Sequence, residues 1–162
     1  MKKGVNVLNF TVVLLSLLMM FSGLCFAADE VKEAPAWPQN VTDMVKAVKG
    51  QVTVISMEEF KKVVDNKGDA VIIDVREPEE FATGRVPGAI NIPRGLAEFK
   101  IWKAVAGFPD KTKTDMKIYT YCKIGGRGIL TAKALKDIGF TNVTAVDMKV
   151  ADWVKAGHPL DR

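Results

Sequence analysis

The chain has 162 residues, of which 48% are hydrophobic and 26% are charged. These values suit one globular domain and leave too few residues for two comfortable cores. Lys and Arg number 23 against 19 Asp and Glu, and the only bases in residues 1–27 are Lys2 and Lys3. The rest of the chain therefore carries 21 bases against 19 acids. A net charge of +2 gives no electrostatic case for nucleic-acid binding.

The N-terminus has the pattern of a secretory signal. Two lysines precede an apolar run from Phe10 to Phe21, and small residues then offer cleavage after Ala27 or Ala28. The run is shorter than the about 20 residues that a spanning helix needs. We predict a signal peptide over residues 1–27, export to the periplasm, and no membrane association after cleavage. An uncleaved N-terminus that anchors the protein in the membrane is the alternative.

The region after the predicted signal begins with a leader, residues 28–50. Asp29 to Gln39 is charged and contains two prolines, which is typical of an irregular segment. Apolar residues then follow at helical spacing from Val41 to Val48, and Gly50 ends this short helix. We expect the helix to pack on the edge of the domain.

Residues 51–162 alternate strands with helices. The apolar run Ala70 to Asp74 is typical of a strand that is covered on both faces, and Ser56 with Glu59 forms a capping box at the start of a helix. Predicted strands cover residues 52–55, 70–74, 89–92, 117–121 and 143–146. Predicted helices follow Ser56 and cover residues 78–82, 95–105, 128–138 and 150–156. This alternation predicts an α/β domain with a parallel sheet flanked by helices.

One predicted helix has a defined inward face. In residues 95–105 we expect the large apolar side chains to be buried, namely Leu96, Phe99, Trp102 and Val105. A polar loop around Pro109 is expected to follow over residues 108–115.

Cysteine content directs attention to one residue. Cys25 lies in the predicted signal, so the mature domain keeps only Cys122. An intrachain disulfide is then excluded, and an odd thiol in an exported protein is either intermolecular or reactive. We interpret Cys122 as reactive. The alternative is a small, inert core residue, which is the common state of a free cysteine.

The residues around Cys122 indicate how it is activated. Cys122 ends a predicted strand, at the edge of a parallel sheet where ligands bind. Lys123, Ile124, Gly125, Gly126 and Arg127 then lead into a helix. Glycines allow such a loop to turn its amide groups inward, and the helix N-terminus adds positive charge. We expect a thiolate at Cys122, in an opening, that attacks a sulfane sulfur and holds it as a persulfide.

Three stretches of the chain resemble the rhodanese-like domain family. They are residues 73–77 with Glu80 and Phe81, residues 84–93, and residues 122–127, and the likeness extends over about residues 52–160. The resemblance implies a five-stranded parallel sheet and a sulfurtransferase. In this reading Cys122 carries sulfur from thiosulfate or a persulfide to cyanide or a thiol, and residues 123–127 form its cradle.

The same resemblance implies that Asp74 and Arg76 are the charged pair beneath the loop. From the residues alone we expect a structural role, because buried charges are normally paired. No cluster of His, Cys and Asp has metal-ligand spacing, so neither a metal nor another cofactor is expected.

Departures from the family pattern leave other functions open. Family members that act on thiosulfate often carry extra cations around the cysteine, whereas here the third loop position is Ile124, and Glu79 and Glu80 follow Arg76. Binding of a dianionic donor such as thiosulfate is therefore less assured. A persulfide or a partner protein becomes the more plausible donor. One alternative is a sulfur carrier or protein-binding module without turnover. A phosphatase or arsenate reductase is a weaker one, since Arg127 comes five residues after Cys122 rather than six.

Overall fold

The computed structural model describes residues 40–105 and 113–162. The predicted signal peptide, most of the predicted leader and most of the predicted polar loop lie outside these residues. The proposed division of the chain into segments stays a prediction.

Helices and strands alternate along the described residues. The strands are β1 (Thr53–Ser56), β2 (Val71–Asp74), β3 (Ala89–Asn91), β4 (Ile118–Tyr121) and β5 (Val143–Asp147). The helices are α1 (Val41–Lys49), α2 (Met57–Asp65), α3 (Pro78–Ala82), α4 (Ala97–Ala104), α5 (Gly126–Asp137) and α6 (Val150–Lys155), and a 3-10 helix spans Arg94–Leu96. Every predicted strand is confirmed, with boundaries within one residue.

The five strands form one parallel sheet in the order β1-β5-β4-β2-β3. This confirms the predicted fold class. Neighbouring residues of a strand point to opposite faces, so the sheet separates two clusters. Ile73 and Ile118 pack with Ile101 of α4 and Leu135 of α5, whereas the other face contains the set Ile72, Tyr121, Phe60 of α2 and Trp153 of α6. The central strand β4 is therefore covered on both sides.

The predicted inward face of residues 95–105 is partly wrong. Phe99 is 80% exposed and Leu96 is 42% exposed, while Ala97 and Ile101 are buried. The 3-10 turn over residues 94–96 shifts the phase of the helix that follows. A stripe repeated every three residues also rotates away from a face that repeats every 3.6. Of the four predicted residues, only Trp102 and Val105 pack on the core. The Trp102 ring lies 5.0 Å from the ring of Phe140.

The predicted capping box is confirmed. Ser56 Oγ accepts a hydrogen bond from the amide of Glu59, whose carboxylate accepts one from the amide of Ser56. Within the described parts of the chain, no helix has the length and hydropathy required to cross a membrane.

Helix α5 approaches the sheet closely at Gly128. A Cβ at this position would lie 2.9 Å from the carbonyl oxygen of Thr120 and 3.2 Å from the Cα of Tyr121. Both are backbone atoms of β4, which cannot rotate away as a flexible side chain can. Thr120 Oγ1 also donates a hydrogen bond to the Gly128 carbonyl, at 2.9 Å.

We predict that Gly128→Ala lowers the free energy of unfolding by about 2 kcal/mol, the usual cost of overpacking. Alanine is normally favoured over glycine in a helix by about 1 kcal/mol, so a loss identifies the contact with β4 as its cause. Gly95→Ala is the matched control, because a Cβ there meets nothing within 4 Å. Urea unfolding of the three proteins measures the difference, and a Gly128→Ala protein as stable as the wild type would contradict the argument.

Candidate functional site

Cys122 lies at the centre of the carboxyl edge of the sheet. It follows Tyr121, the last residue of β4, and β4 lies between β5 and β2. In the described part of the chain it is the free cysteine, and no group of three or more His, Cys, Asp or Glu residues there could hold a metal ion. Cys122 and its surroundings are therefore the candidate site at this edge.

The loop after Cys122 leads directly into α5. The helix begins at Gly126, two residues before the predicted start at Gly128, so Arg127 belongs to its first turn. Gly125 is the N-cap with φ of +90°, a conformation that side chains disfavour. Its carbonyl accepts the first helical hydrogen bond, from Ile129 at 3.1 Å. The glycine predicted to shape the loop has that conformation.

The backbone amides of the loop have no protein acceptor. Among residues 40–105 and 113–162, no oxygen accepts a hydrogen bond from the amides of residues 123–127. Amides at a helix N-terminus that lack partners are free to bind an anion, and the helix dipole favours negative charge there. This part of the predicted cradle has the hydrogen-bonding capacity that it needs.

The sulfur itself is less accessible than expected. Cys122 is 0% exposed and packs with the cluster that contains Ile73 and Ile129, whereas the sequence analysis expects it in an opening. The physical reason is that β4 is central, so both of its faces are covered by helices. A donor can reach the sulfur atom only if the groups above it separate.

Arg127 does not supply an unpaired charge to the loop. Its guanidinium forms two hydrogen bonds with Glu80, at 2.6 and 3.0 Å, and lies 3.9 Å from Glu77. The hydrogen bond from Arg127 holds the pKa of Glu80 at about 2, well below its usual range. The same bond raises the pKa of Arg127, and the neighbouring Cys122 sulfur acts in the same direction. Arg127 thus lies beside the sulfur, with much of its charge neutralised.

Lys123 has a different position. Its side chain is exposed, with no carboxylate at ion-pair distance in the described residues. Its carbonyl accepts a hydrogen bond from the amide of Val150, at 3.0 Å, which connects the loop to α6. Ile124, the third loop residue, is 68% exposed.

Asp74 and Arg76 form a buried ion pair beneath the site. Arg76 Nη2 lies 2.6 Å from Asp74 Oδ2 and also donates to the carbonyl of Gly84 at 2.7 Å. Arg76 Nε contacts both carboxylate oxygens at 2.9 Å. Burial, followed by the charge of Asp74, raises the pKa of Tyr121, which lies next to Cys122 in the chain, above its usual range. These contacts join the end of β2 to the turn at Gly84 and give each buried charge a partner.

Arg94 is a residue that the sequence analysis does not include. Its amide donates to the carbonyl of Val75 at 3.2 Å, and the amide of Val75 donates to the carbonyl of Tyr121 at 2.9 Å. This places Arg94 at the same edge of the sheet as Cys122. Its Nε is buried without a hydrogen-bond partner among the described residues, which is costly unless a water molecule or a ligand satisfies it. The rule that ligands bind beyond strand ends could have identified it, since it follows the predicted strand 89–92.

These features define a class of protein: a parallel α/β domain whose one described cysteine lies between the central strand and a helix N-terminus whose amides have no acceptor among the described residues. Residues 56–156 match the profile of the rhodanese-like domain, which is more than half of the chain. The chain therefore belongs to the rhodanese-like domain family.

Named relatives are similar over the same region. YrkF of Bacillus subtilis, a candidate sulfur carrier protein, is 33% identical over 99 residues, which are 61% of this chain and 49% of YrkF. Thiosulfate:glutathione sulfurtransferase of Saccharomyces cerevisiae is 28% identical over 130 residues, 75% of this chain and 91% of the yeast protein. The chain thus spans about half the length of YrkF.

A solved structure from Rhodopseudomonas palustris, described as a possible tyrosine phosphatase of unknown function, superposes with a TM-score of 0.65. It shares 25% sequence identity with this chain, and the match covers 79% of this chain and 98% of that one.

The ion pair between Glu80 and Arg127 should make the free energy of unfolding depend on pH. Because the pKa of Glu80 is lowered from 4.5 to about 2, its contribution to stability is complete above pH 4.5 and is lost as the pH falls towards 2. We predict that Glu80→Gln lowers the free energy of unfolding by about 1 kcal/mol at neutral pH. The difference from wild type should shrink to zero in acid.

Unfolding by urea at several pH values measures this difference. Glu79→Gln is the control on the same helix, since Glu79 is exposed and forms no ion pair with any described residue. A deficit of Glu80→Gln that stayed constant down to pH 2 would show that the charge is not its origin.

Proposed function

We propose that this protein is a sulfurtransferase that moves sulfane sulfur from thiosulfate or a persulfide to a thiol or cyanide through a persulfide on Cys122. The observation that carries the proposal is the position of the sulfur, at the end of the central strand and beside amides that have no acceptor among residues 40–105 and 113–162. The names of the similar proteins, a sulfurtransferase and a candidate sulfur carrier, support it.

With thiosulfate the proposed reaction has two balanced steps. The Cys122 thiolate attacks the outer sulfur, the S–S bond of thiosulfate breaks, and sulfite leaves with the electron pair. The persulfide that remains is an anion, which the amides of residues 123–127 and the helix dipole stabilise. The acceptor thiolate then attacks the outer sulfur, and Cys122 leaves as thiolate. No metal or redox cofactor takes part in either step.

Arg94 has the chemistry to bind the donor. An arginine Nε with its neighbouring Nη matches the fork of oxygens on a sulfonate-like group. Arg127 is hydrogen-bonded to Glu80, and Arg76 is hydrogen-bonded to Asp74. Arg94 differs, because its buried Nε has no acceptor among the described residues. We infer that it orients thiosulfate as the residues above Cys122 separate.

One contact argues against a phosphatase. Phosphatases of the related fold place an arginine six residues after the cysteine, and that position here is Gly128. A Cβ there would already lie 2.9 Å from the Thr120 carbonyl oxygen, so no larger side chain fits. The name of the Rhodopseudomonas palustris protein therefore does not change the proposal.

A sulfur carrier without turnover is the second candidate, favoured by the complete burial of Cys122. Multiple turnovers with thiosulfate and cyanide would favour the enzyme. Single loading of Cys122, discharged only to a partner protein, would favour the carrier. We also propose export to the periplasm with removal of residues 1–27.

Loading of Cys122 is the direct test. After incubation with thiosulfate, we expect the intact protein to gain the mass of one sulfur atom, located on the Cys122 peptide and released by cyanide. Cys122→Ser should gain nothing, because the nucleophile is absent. The same spectrum of protein from the periplasmic fraction reports whether residues 1–27 have been removed. Wild-type protein that stays unloaded at every donor concentration would count decisively against the proposal.

We predict that Arg94→Ala lowers kcat/KM for thiosulfate by at least about tenfold, because the variant removes a charge-assisted hydrogen bond to the donor. The loss should appear mainly in KM. Arg94→Lys should recover part of it, since lysine restores the charge but not the fork. Lys155→Ala, which removes an exposed cation from α6, is the control. Unchanged kinetics of Arg94→Ala would exclude this role.

A further inference from the structure

A groove separates helix α1 from the loop that follows Cys122. Its volume is about 480 Å³, within the usual range for sites that bind small organic molecules. Val41 and Val45 of α1 form one wall, and Ile124 of the loop with Leu130 of α5 forms the other. A cavity of this size far exceeds what thiosulfate or cyanide would occupy.

Helix α1 is held against the loop by specific contacts. Lys49 Nζ lies 2.6 Å from Asp147 Oδ2, at the carboxyl end of β5. Asp147 in turn packs on the loop, since a Cβ on Gly125 would lie 3.0 Å from its Oδ1. Val45 approaches Gly126 in the same way, at 3.4 Å. The family match begins at residue 56, so the helix that forms this wall of the groove lies outside the matched residues.

The groove combines apolar walls with a positive rim. Val41 is 67% exposed and Ile124 is 68% exposed, an unfavourable arrangement for large apolar side chains that face only water. Lys46 and Lys123 also line the groove and have no carboxylate at ion-pair distance in the described residues. The other two cations of the lining, Lys49 and Arg127, are paired with acids. An occupant of complementary chemistry has an apolar body and an anionic group.

We propose that this groove binds the sulfur acceptor, a small thiol with an aliphatic or aromatic body and a carboxylate or similar anion. The proposal rests on the sulfurtransferase function proposed above. Lys123, which directly follows Cys122 in the chain, and Gly126, the first residue of α5, both line the groove, so a bound acceptor lies against the loop that holds the persulfide. When the groups above Cys122 separate, the acceptor thiolate attacks the outer sulfur, the S–S bond breaks, Cys122 keeps the electron pair, and the acceptor leaves as its persulfide.

The experiment isolates the second half of the reaction. Full-length protein is loaded with sulfur from thiosulfate, freed of excess donor, and mixed with mercaptooctanoate, mercaptooctanol or mercaptoacetate. Mass spectrometry follows the loss of sulfur from Cys122. We expect the specific rate for mercaptooctanoate to exceed that for mercaptoacetate by at least about tenfold, the effect of burying about two methylene groups. It should exceed that for mercaptooctanol by about threefold, through the lysines.

Variants connect these ratios to the groove. Ile124→Ser and Val41→Ser should each reduce the ratio of mercaptooctanoate to mercaptoacetate, since they remove apolar wall. Lys46→Gln should reduce the ratio of mercaptooctanoate to mercaptooctanol. All three side chains are exposed or nearly so, so the fold is retained, which thermal unfolding verifies. Val154→Ser replaces an apolar residue that is 51% exposed on α6, and both ratios should stay at wild-type values.

Three outcomes would overturn the proposal. If Cys122 loads normally but discharges equally fast to all three thiols, the groove is not the acceptor site and the sulfurtransferase function stands. If Cys122 never loads, the function and the groove proposal fail together. If sedimentation shows a dimer that Val41→Ser dissociates, a second copy of the chain covers the groove and the small-molecule proposal is wrong.

Discussion

The close approach of α5 to the end of β4 is the constraint on which the site depends. Gly128 allows the helix backbone to reach the strand backbone, and the Thr120 hydroxyl bonds to the Gly128 carbonyl at 2.9 Å. Because the helix begins so near the strand, the connection after Cys122 is tight, and the amides of residues 123–127 have no acceptor among the described residues. Binding capacity for an anion beside the sulfur follows from backbone packing before any charged side chain is considered.

The charged side chains divide into those that hold the scaffold and those that remain for ligands. Asp74 and Arg76 form an ion pair in the interior, and Glu80 forms an ion pair with the guanidinium of Arg127. A buried charge without a partner would destabilise the fold. We therefore assign these pairs to the stability of the fold. In our proposal, the positive charge left for a donor is that of the helix N-terminus, of exposed Lys123 and of Arg94, whose buried Nε has no hydrogen-bond partner among the described residues.

Burial of Cys122 has a cost and a use. A sealed thiol cannot react until the groups above it move, which slows loading. In the proposed reaction, the same closure would keep water and adventitious thiols away from the persulfide, and low polarity would strengthen its bonds to the amides. In our proposal, the surface beside the loop then determines which acceptor binds. In our proposal α1 provides that surface, and its Lys49 is connected to the loop through Asp147.

Local sequence pattern determined much of this protein: the five strands, the Ser56 capping box, the glycine conformation at Gly125 and the position of Cys122 at the end of a strand all follow from spacing and residue type over a few residues. Only the tertiary structure decided features that depend on distant contacts. The face that α4 buries, the engagement of Arg127 by Glu80 from 47 residues away and the unpaired Nε of Arg94 arise where separate segments meet. A one-dimensional pattern records which residues are apolar or charged, whereas pairing and burial depend on which segments the fold brings together.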